Sequence, residues 1–136
     1  MSKTAVVYWS QTGNTEAMAK AVAEAAEAEL LTAAEFSTDK LNAFDAVAFG
    51  CPAMGAEVLE EEEFQPMWDA VKPNLNGKKI ALFGSYGWGD GEWMRNWEEE
   101  AKSAGADLIA DGLMANEAPD EDALNACKAL GEALAK

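Results

Sequence analysis

Short apolar runs alternate with amphipathic stretches from one end of this chain to the other, and no other feature restricts its fold as much. The first run, Ala5-Val6-Val7-Tyr8-Trp9, is β-branched and aromatic with no polar alternation, as expected of a strand buried on both faces. A helix is expected from about Asn14, where Met18, Val22 and Ala25 share one face. Glu29 to Glu35 reads as a weaker strand around Leu30 and Leu31, and Asp45 to Gly50 as a third. Phe64, Trp68, Val71 and Leu75 mark the next helix face, with Pro66 tolerable in its first turn.

Asn76-Gly77 is a turn signal leading into a fourth strand, Lys79 to Gly84. Met94, Trp97 and Ala101 give another helical stripe, closed by Gly105. Asp107 to Met114 contains the fifth strand, whose end Asp111 and Gly112 blur. Ala123, Cys127, Leu130 and Leu134 line the last helix. Phe36 to Phe44 is too short and polar to require a helix. Five strands alternating with four helices imply one three-layer α/β/α domain over residues 1–136, built on a parallel sheet.

The charge balance excludes whole classes of partner. With 25 acidic against 10 basic residues, the net charge of −15 leaves no basic stripe to neutralise nucleic-acid phosphates or an anionic membrane. Basic protein surfaces are the expected counterparts, with association rates that fall as salt rises. No apolar run approaches the roughly 20 residues that span a bilayer. Met1-Ser2-Lys3-Thr4 runs straight into the first strand without a small-residue cleavage site. The expectation is a soluble, cytoplasmic monomer. The absence of histidine removes His-based triads and His metal sites. Cys51 and Cys127 have no metal-type spacing.

In a sheet of this kind, ligands sit beyond the carboxyl ends of the strands, and three strand ends here carry unusual loops. Ser10-Gln11-Thr12-Gly13-Asn14-Thr15 offers hydroxyls, amides and a fresh helix N-terminus, the parts of an anion site. It contains no Lys or Arg and no GxxxxGK[ST] pattern. The same residues are equally read as a helix cap supplied by Thr12 or Asn14. Gly50-Cys51-Pro52-Ala53-Met54-Gly55-Ala56-Glu57 places a soft methionine on a loop. A phosphatase-type C-x5-R loop would need arginine where Glu57 stands, so Cys51 reads as a structural thiol. Gly84-Ser85-Tyr86-Gly87-Trp88-Gly89-Asp90-Gly91-Glu92-Trp93 alternates glycines with aromatics, letting the backbone approach a planar ligand while rings project. Trp93 is expected to pack inward at a helix start; Trp88 has no core role.

Taken together and in order, these loops resemble those of the short-chain flavodoxins, over essentially the whole chain. The lack of an insertion in the fifth-strand region is similar to that subgroup. The resemblance implies a five-stranded parallel sheet of order 2-1-3-4-5. It also implies a low-potential one-electron carrier that is not an enzyme and holds FMN non-covalently, cycling mainly between semiquinone and hydroquinone. The phosphate would lie on Ser10, Gln11, Thr12, Gly13, Asn14 and Thr15. The isoalloxazine ring would meet Pro52, Ala53, Met54, Gly55, Ala56 and Glu57 on one side and Ser85, Tyr86, Gly87, Trp88, Gly89 and Asp90 on the other. Trp88 and Met54 would cover its two faces, Glu57 would accept from N3–H, backbone amides of residues 87–89 would face the N1/O2 edge, and the Gly55 carbonyl would turn towards N5. Pro52 stands where some members carry a hydroxyl. Ala56 would resist a positive-φ turn more than glycine, leaving a less stabilised semiquinone than in an Ala56→Gly variant.

The resemblance further implies redox partners with basic docking surfaces, reductases and low-potential acceptors. Glu60-Glu61-Glu62-Glu63 reads both as helix-dipole compensation on a solvated face and as an acidic edge that steers such partners. A phosphoacceptor receiver domain would need acidic residues where Ser10-Gln11 and Gly50-Cys51 stand. A small NAD(P)H:quinone reductase would need a larger pocket and basic groups for the pyridine nucleotide.

Overall fold

The computed structural model describes residues 3–11, 13–54, 58–87 and 91–135. Strands β1 (Thr4–Tyr8), β2 (Glu29–Thr32), β3 (Ala46–Gly50), β4 (Lys79–Tyr86), β5 (Asp107–Leu108) and β6 (Leu113–Asn116) form a parallel sheet of order β2-β1-β3-β4-β5, with β6 also pairing β4. Helices α1 (Asn14–Ala26), α2 (Thr38–Leu41), α3 (Phe64–Val71), α4 (Glu92–Ser103) and α5 (Glu121–Ala135) complete the layers.

Because both sheet faces are covered, the strands show no polar alternation, yet their residues divide with period two. Ala5, Val7, Val47, Phe49, Ile80 and Leu82 face one core with α3 and α4, while Val6, Ala46, Ala48, Ala81 and Phe83 face the other with α1 and α5. The first core is aromatic: Phe36, Phe49, Trp68, Trp97 and Phe64 run edge to face at centroid spacings of 6.1, 5.3, 5.8 and 5.5 Å. Each such pair adds roughly 0.5–1.5 kcal/mol beyond the area it buries. The second core is small. A Cβ on Gly131 would lie 2.4 Å from the Val22 carbonyl oxygen, so α5 approaches α1 closely only because Gly131 has no side chain.

The order and the parallel sense match expectation, and three local features refine it. The fifth strand is broken at residues 109–112 into β5 and β6, where the Gly112 N–H turns aside to a Glu98 carboxylate at 2.6 Å. The α3 helix stops at Val71 and tightens into a 3₁₀ turn, Lys72–Asn74, because Pro73 has no N–H to continue the i→i−4 ladder; Leu75 is buried all the same. The link from β2 to β3 holds a 3₁₀ turn, Ala33–Glu35, and the single-turn α2, capped by Ser37. Among the described residues no helix is long and apolar enough to cross a membrane.

Candidate functional site

The three loops singled out in sequence leave β1, β3 and β4, which are neighbours in the sheet. Their first residues remain tied: Trp9 N–H donates to Gly50 O (3.0 Å), Cys51 N–H to Phe83 O (3.1 Å) and Ala53 N–H to Ser85 O (3.0 Å). The ladder therefore continues past the strands, and the loops open side by side.

In the first loop Gly13 precedes α1 at φ +96°, a conformation other residues rarely adopt. Among the described residues no side chain at the helix start itself caps it. Asn14 is already the first helical residue, and the cap comes from upstream. Ser10 Oγ accepts from Gly13 N–H (3.1 Å) and Glu16 N–H (3.2 Å). Gln11 is exposed and Asn14 half-buried. Thr15 is buried, its Oγ1 2.9 Å from Ser85 Oγ, so two expected site residues from different loops meet directly. Thr12 lies outside the described residues.

Beside this loop lies a pocket of about 280 Å³ that includes Tyr8, Trp9, Ser10 and Gly13, with the carboxylates of Glu16 and Glu63. Tyr8 OH donates to Glu16 (3.2 Å) and Trp9 Nε1–H to Glu63 (3.4 Å). Burial, then the Glu16 carboxylate, push the Tyr8 phenol above its ordinary value.

In the second loop Pro52, Ala53 and Met54 are half-buried, and Met54 N–H donates to Val58 O at 3.0 Å, closing the loop across its base. Gly55, Ala56 and Glu57 lie outside the described residues. Cys51 is fully buried, and its carbonyl accepts from Trp93 Nε1–H at 3.2 Å. Burial pushes its thiol far above the usual range, which fits a structural group rather than a nucleophile. In the third loop Ser85 is buried, Tyr86 lies against Trp93 with centroids 5.6 Å apart, and Gly87 is exposed. Trp93 is buried at the start of α4, as expected. Trp88, Gly89 and Asp90 lie outside the described residues.

Sequence reasoning treated Glu60 as one of four solvated acids. It is instead 5% exposed, and its carboxylate accepts the backbone N–H groups of Glu62 (2.7 Å), Glu63 (2.7 Å) and Phe64 (2.8 Å) at the head of α3. Burial pushes its pKa up, but the three backbone donors outweigh it and the value falls below normal. Only the apolar neighbours Leu59 and Phe64 hinted that Glu60 faces inward.

A doubly wound sheet with a helix start on one central strand and two further loops on its neighbours is the arrangement in which such sheets bind nucleotide-type ligands. Residues 6–131 match the family model described as flavodoxin. The chain is 44% identical to the flavodoxin of Megasphaera elsdenii, with 96% of this chain and 97% of that one covered. It is 43% identical to the flavodoxin of Clostridium beijerinckii, over 85% and 88% respectively. The solution structure of two-electron reduced Megasphaera elsdenii flavodoxin superposes with a TM-score of 0.89 at 42% identity, covering 97% of this chain and 98% of that one. This chain belongs to the flavodoxin family. It is a low-potential electron carrier rather than an enzyme, and its cofactor is FMN.

The cradle fits that cofactor. Among the described residues a Cβ built on Gly13 meets nothing within 4 Å, so the turn into α1 has open space beside it. Ser10 Oγ, already an acceptor twice, keeps its own proton to donate to a phosphate oxygen. These donors are neutral, which suits a phosphate held by backbone and hydroxyl groups at a helix N-terminus.

Proposed function

We propose that this chain is a single-domain, monomeric, cytoplasmic carrier that moves electrons one at a time, holding the FMN phosphate on residues 10–15 and the ring between residues 52–57 and 85–90. The observation that carries this reading is the continuation of the β1–β3–β4 ladder up to the first loop and into the other two, through Trp9–Gly50 and Ala53–Ser85. Bound FMN supplies a centre that accepts one or two electrons. The protein's part is to bind, orient and electrostatically bias that centre. Ser10, Thr12, Asn14 and Thr15 are assigned to the phosphate, Met54 and Trp88 to the ring faces, and Glu57 and the backbone of residues 55 and 87–89 to the ring edge.

The biasing comes from charge. At a net charge of −15, each carboxylate some 10 Å from the ring, at an effective dielectric near 40, opposes added negative charge by roughly 0.8 kcal/mol. On the one-electron scale that is on the order of 35 mV, so a few such groups lower the second potential substantially. Two buried, unpaired cysteines, Cys51 and Cys127, suit a reducing compartment. Val58 and Met114 are the only large apolar side chains exposed among the described residues, which suits a monomer.

Anaerobic stepwise reduction of FMN-reconstituted protein tests the reading. Two resolved one-electron steps are expected. A single two-electron step with steady NAD(P)H turnover would identify a reductase instead, and no flavin binding would remove the three-loop assignment.

The exposed acids Glu61, Glu62 and Glu63 edge the second loop and would steer basic redox partners to the flavin. Changing all three to Gln is expected to slow association with a basic partner severalfold at low salt and little at high salt. Unchanged on-rates would reject the steering role.

A further inference from the structure

The second loop is held at both ends, and its far end depends on one buried side chain. On entry, Cys51 and Ala53 donate to β4 through Phe83 O and Ser85 O. On exit, Glu60 N–H donates to Cys51 Sγ at 3.4 Å, binding the outgoing chain to the incoming one. The Glu60 carboxylate then gathers the N–H groups of Glu62, Glu63 and Phe64, while its carbonyl accepts from Gln65 N–H at 2.8 Å. A single residue thus joins the loop, the Cys51 thiol and the first turn of α3.

We propose that Glu60 is a positioning residue for the cofactor: by clasping Cys51 with its amide and the head of α3 with its carboxylate, it fixes where Met54 and Val58 stand and so sets FMN affinity and the first reduction potential. This rests on the assignment of residues 52–57 to the flavin ring. Glu60 does not touch the cofactor; it acts through the loop base, where Met54 N–H meets Val58 O. A preorganised loop loses less freedom when the ring binds.

The competing account is that Glu60 only caps α3, or acts only as a nearby charge. Three variants separate these. Glu60→Asp keeps the charge but is one methylene short of the three amides. Glu60→Gln keeps the length but loses the charge and offers an NH₂ to the Glu62 N–H. Ala70→Gly weakens α3 at an exposed position without touching the clasp. FMN dissociation constants, both one-electron potentials and urea midpoints are measured for each.

The expected result is that Glu60→Asp weakens FMN binding on the order of tenfold. That loss is expected to fall on the oxidised complex, raising the first potential by about 59 mV, and a first potential left where it was overturns the proposal. Ala70→Gly should shift only the urea midpoint. If Glu60→Asp behaves like Ala70→Gly, the residue is a helix cap and the proposal fails. If only Glu60→Gln moves the potential, its charge and not its geometry acts, and the proposal fails. Should Glu60→Asp not fold, Cys51→Ala removes the other half of the clasp without a charge change and is expected to weaken FMN binding in the same way; unchanged binding there overturns the clasp. Wild-type protein that binds no FMN would refute the flavin assignment itself, an outcome distinct from either failure of Glu60.

Discussion

Gly84→Ala is expected to destabilise the fold by about 3 kcal/mol or more, the upper range for overpacking a well-filled interior. The added Cβ would lie 2.1 Å from the Cys51 carbonyl oxygen, 3.0 Å from its carbon and 3.2 Å from the Trp93 ring. A flexible side chain could give way, but this obstacle is backbone. Cys51 N–H is bound to Phe83 O one strand over, and Cys51 O is the acceptor for Trp93 Nε1–H. Moving it would break both. Cys51 also begins the second loop, so the surviving folded fraction should bind FMN more weakly.

Gly87→Ala is the control, because among the described residues its Cβ meets nothing within 4 Å and its φ is not in the left-handed region. Its urea midpoint should match wild type. A Gly84→Ala midpoint equally unchanged would show that β3 and β4 can separate at their carboxyl ends, against the tight ladder described above.

Gly84 also illustrates where sequence stops informing. A glycine ending K-I-A-L-F-G reads as the end of a strand. The structure continues β4 through Ser85 to Tyr86, and Gly84 lies inside it because a neighbouring carbonyl fills the place of a side chain. That requirement comes from a residue 33 positions away, and nothing local records it. The same holds for Thr15 and Ser85, whose hydroxyls meet 2.9 Å apart across 70 residues. What was legible was whatever depends on local sequence. Apolar runs located β1, β3 and β4, helical spacing located α1, α4 and α5, and a glycine before Asn14 marked the turn into α1. The break between β5 and β6 was half visible in Asp111-Gly112. Glu60 was barely marked among its three neighbours, with only Leu59 and Phe64 to set it apart, because four consecutive glutamates look alike until the fold turns one inward.

Ser10→Ala is expected to raise the Kd for FMN roughly 10- to 150-fold, the equivalent of losing one hydrogen bond to a charged group, about 1.5–3 kcal/mol. The hydroxyl has two duties. As an acceptor it gathers Gly13 N–H and Glu16 N–H, which holds the loop in its turn; as a donor it has one proton left for a phosphate oxygen. Alanine removes both. Riboflavin separates them, since it carries the ring and the ribityl chain but no phosphate. If Ser10 donates to phosphate, its loss should weaken FMN far more than riboflavin, and the preference of the protein for FMN should shrink. Equal weakening of the two would mean that Ser10 only shapes the loop. No change in either would move the phosphate away from the start of α1 altogether. The contrast is sharpened by the local charge: the nearest lysine ammonium to Glu16 is Lys20, at 4.0 Å on a side chain that is 65% exposed, too solvated to anchor a dianion. With Glu16 and Glu63 lining the adjacent pocket, neutral donors such as the Ser10 hydroxyl have to carry the phosphate against a negative surround, and losing one of them should register in full.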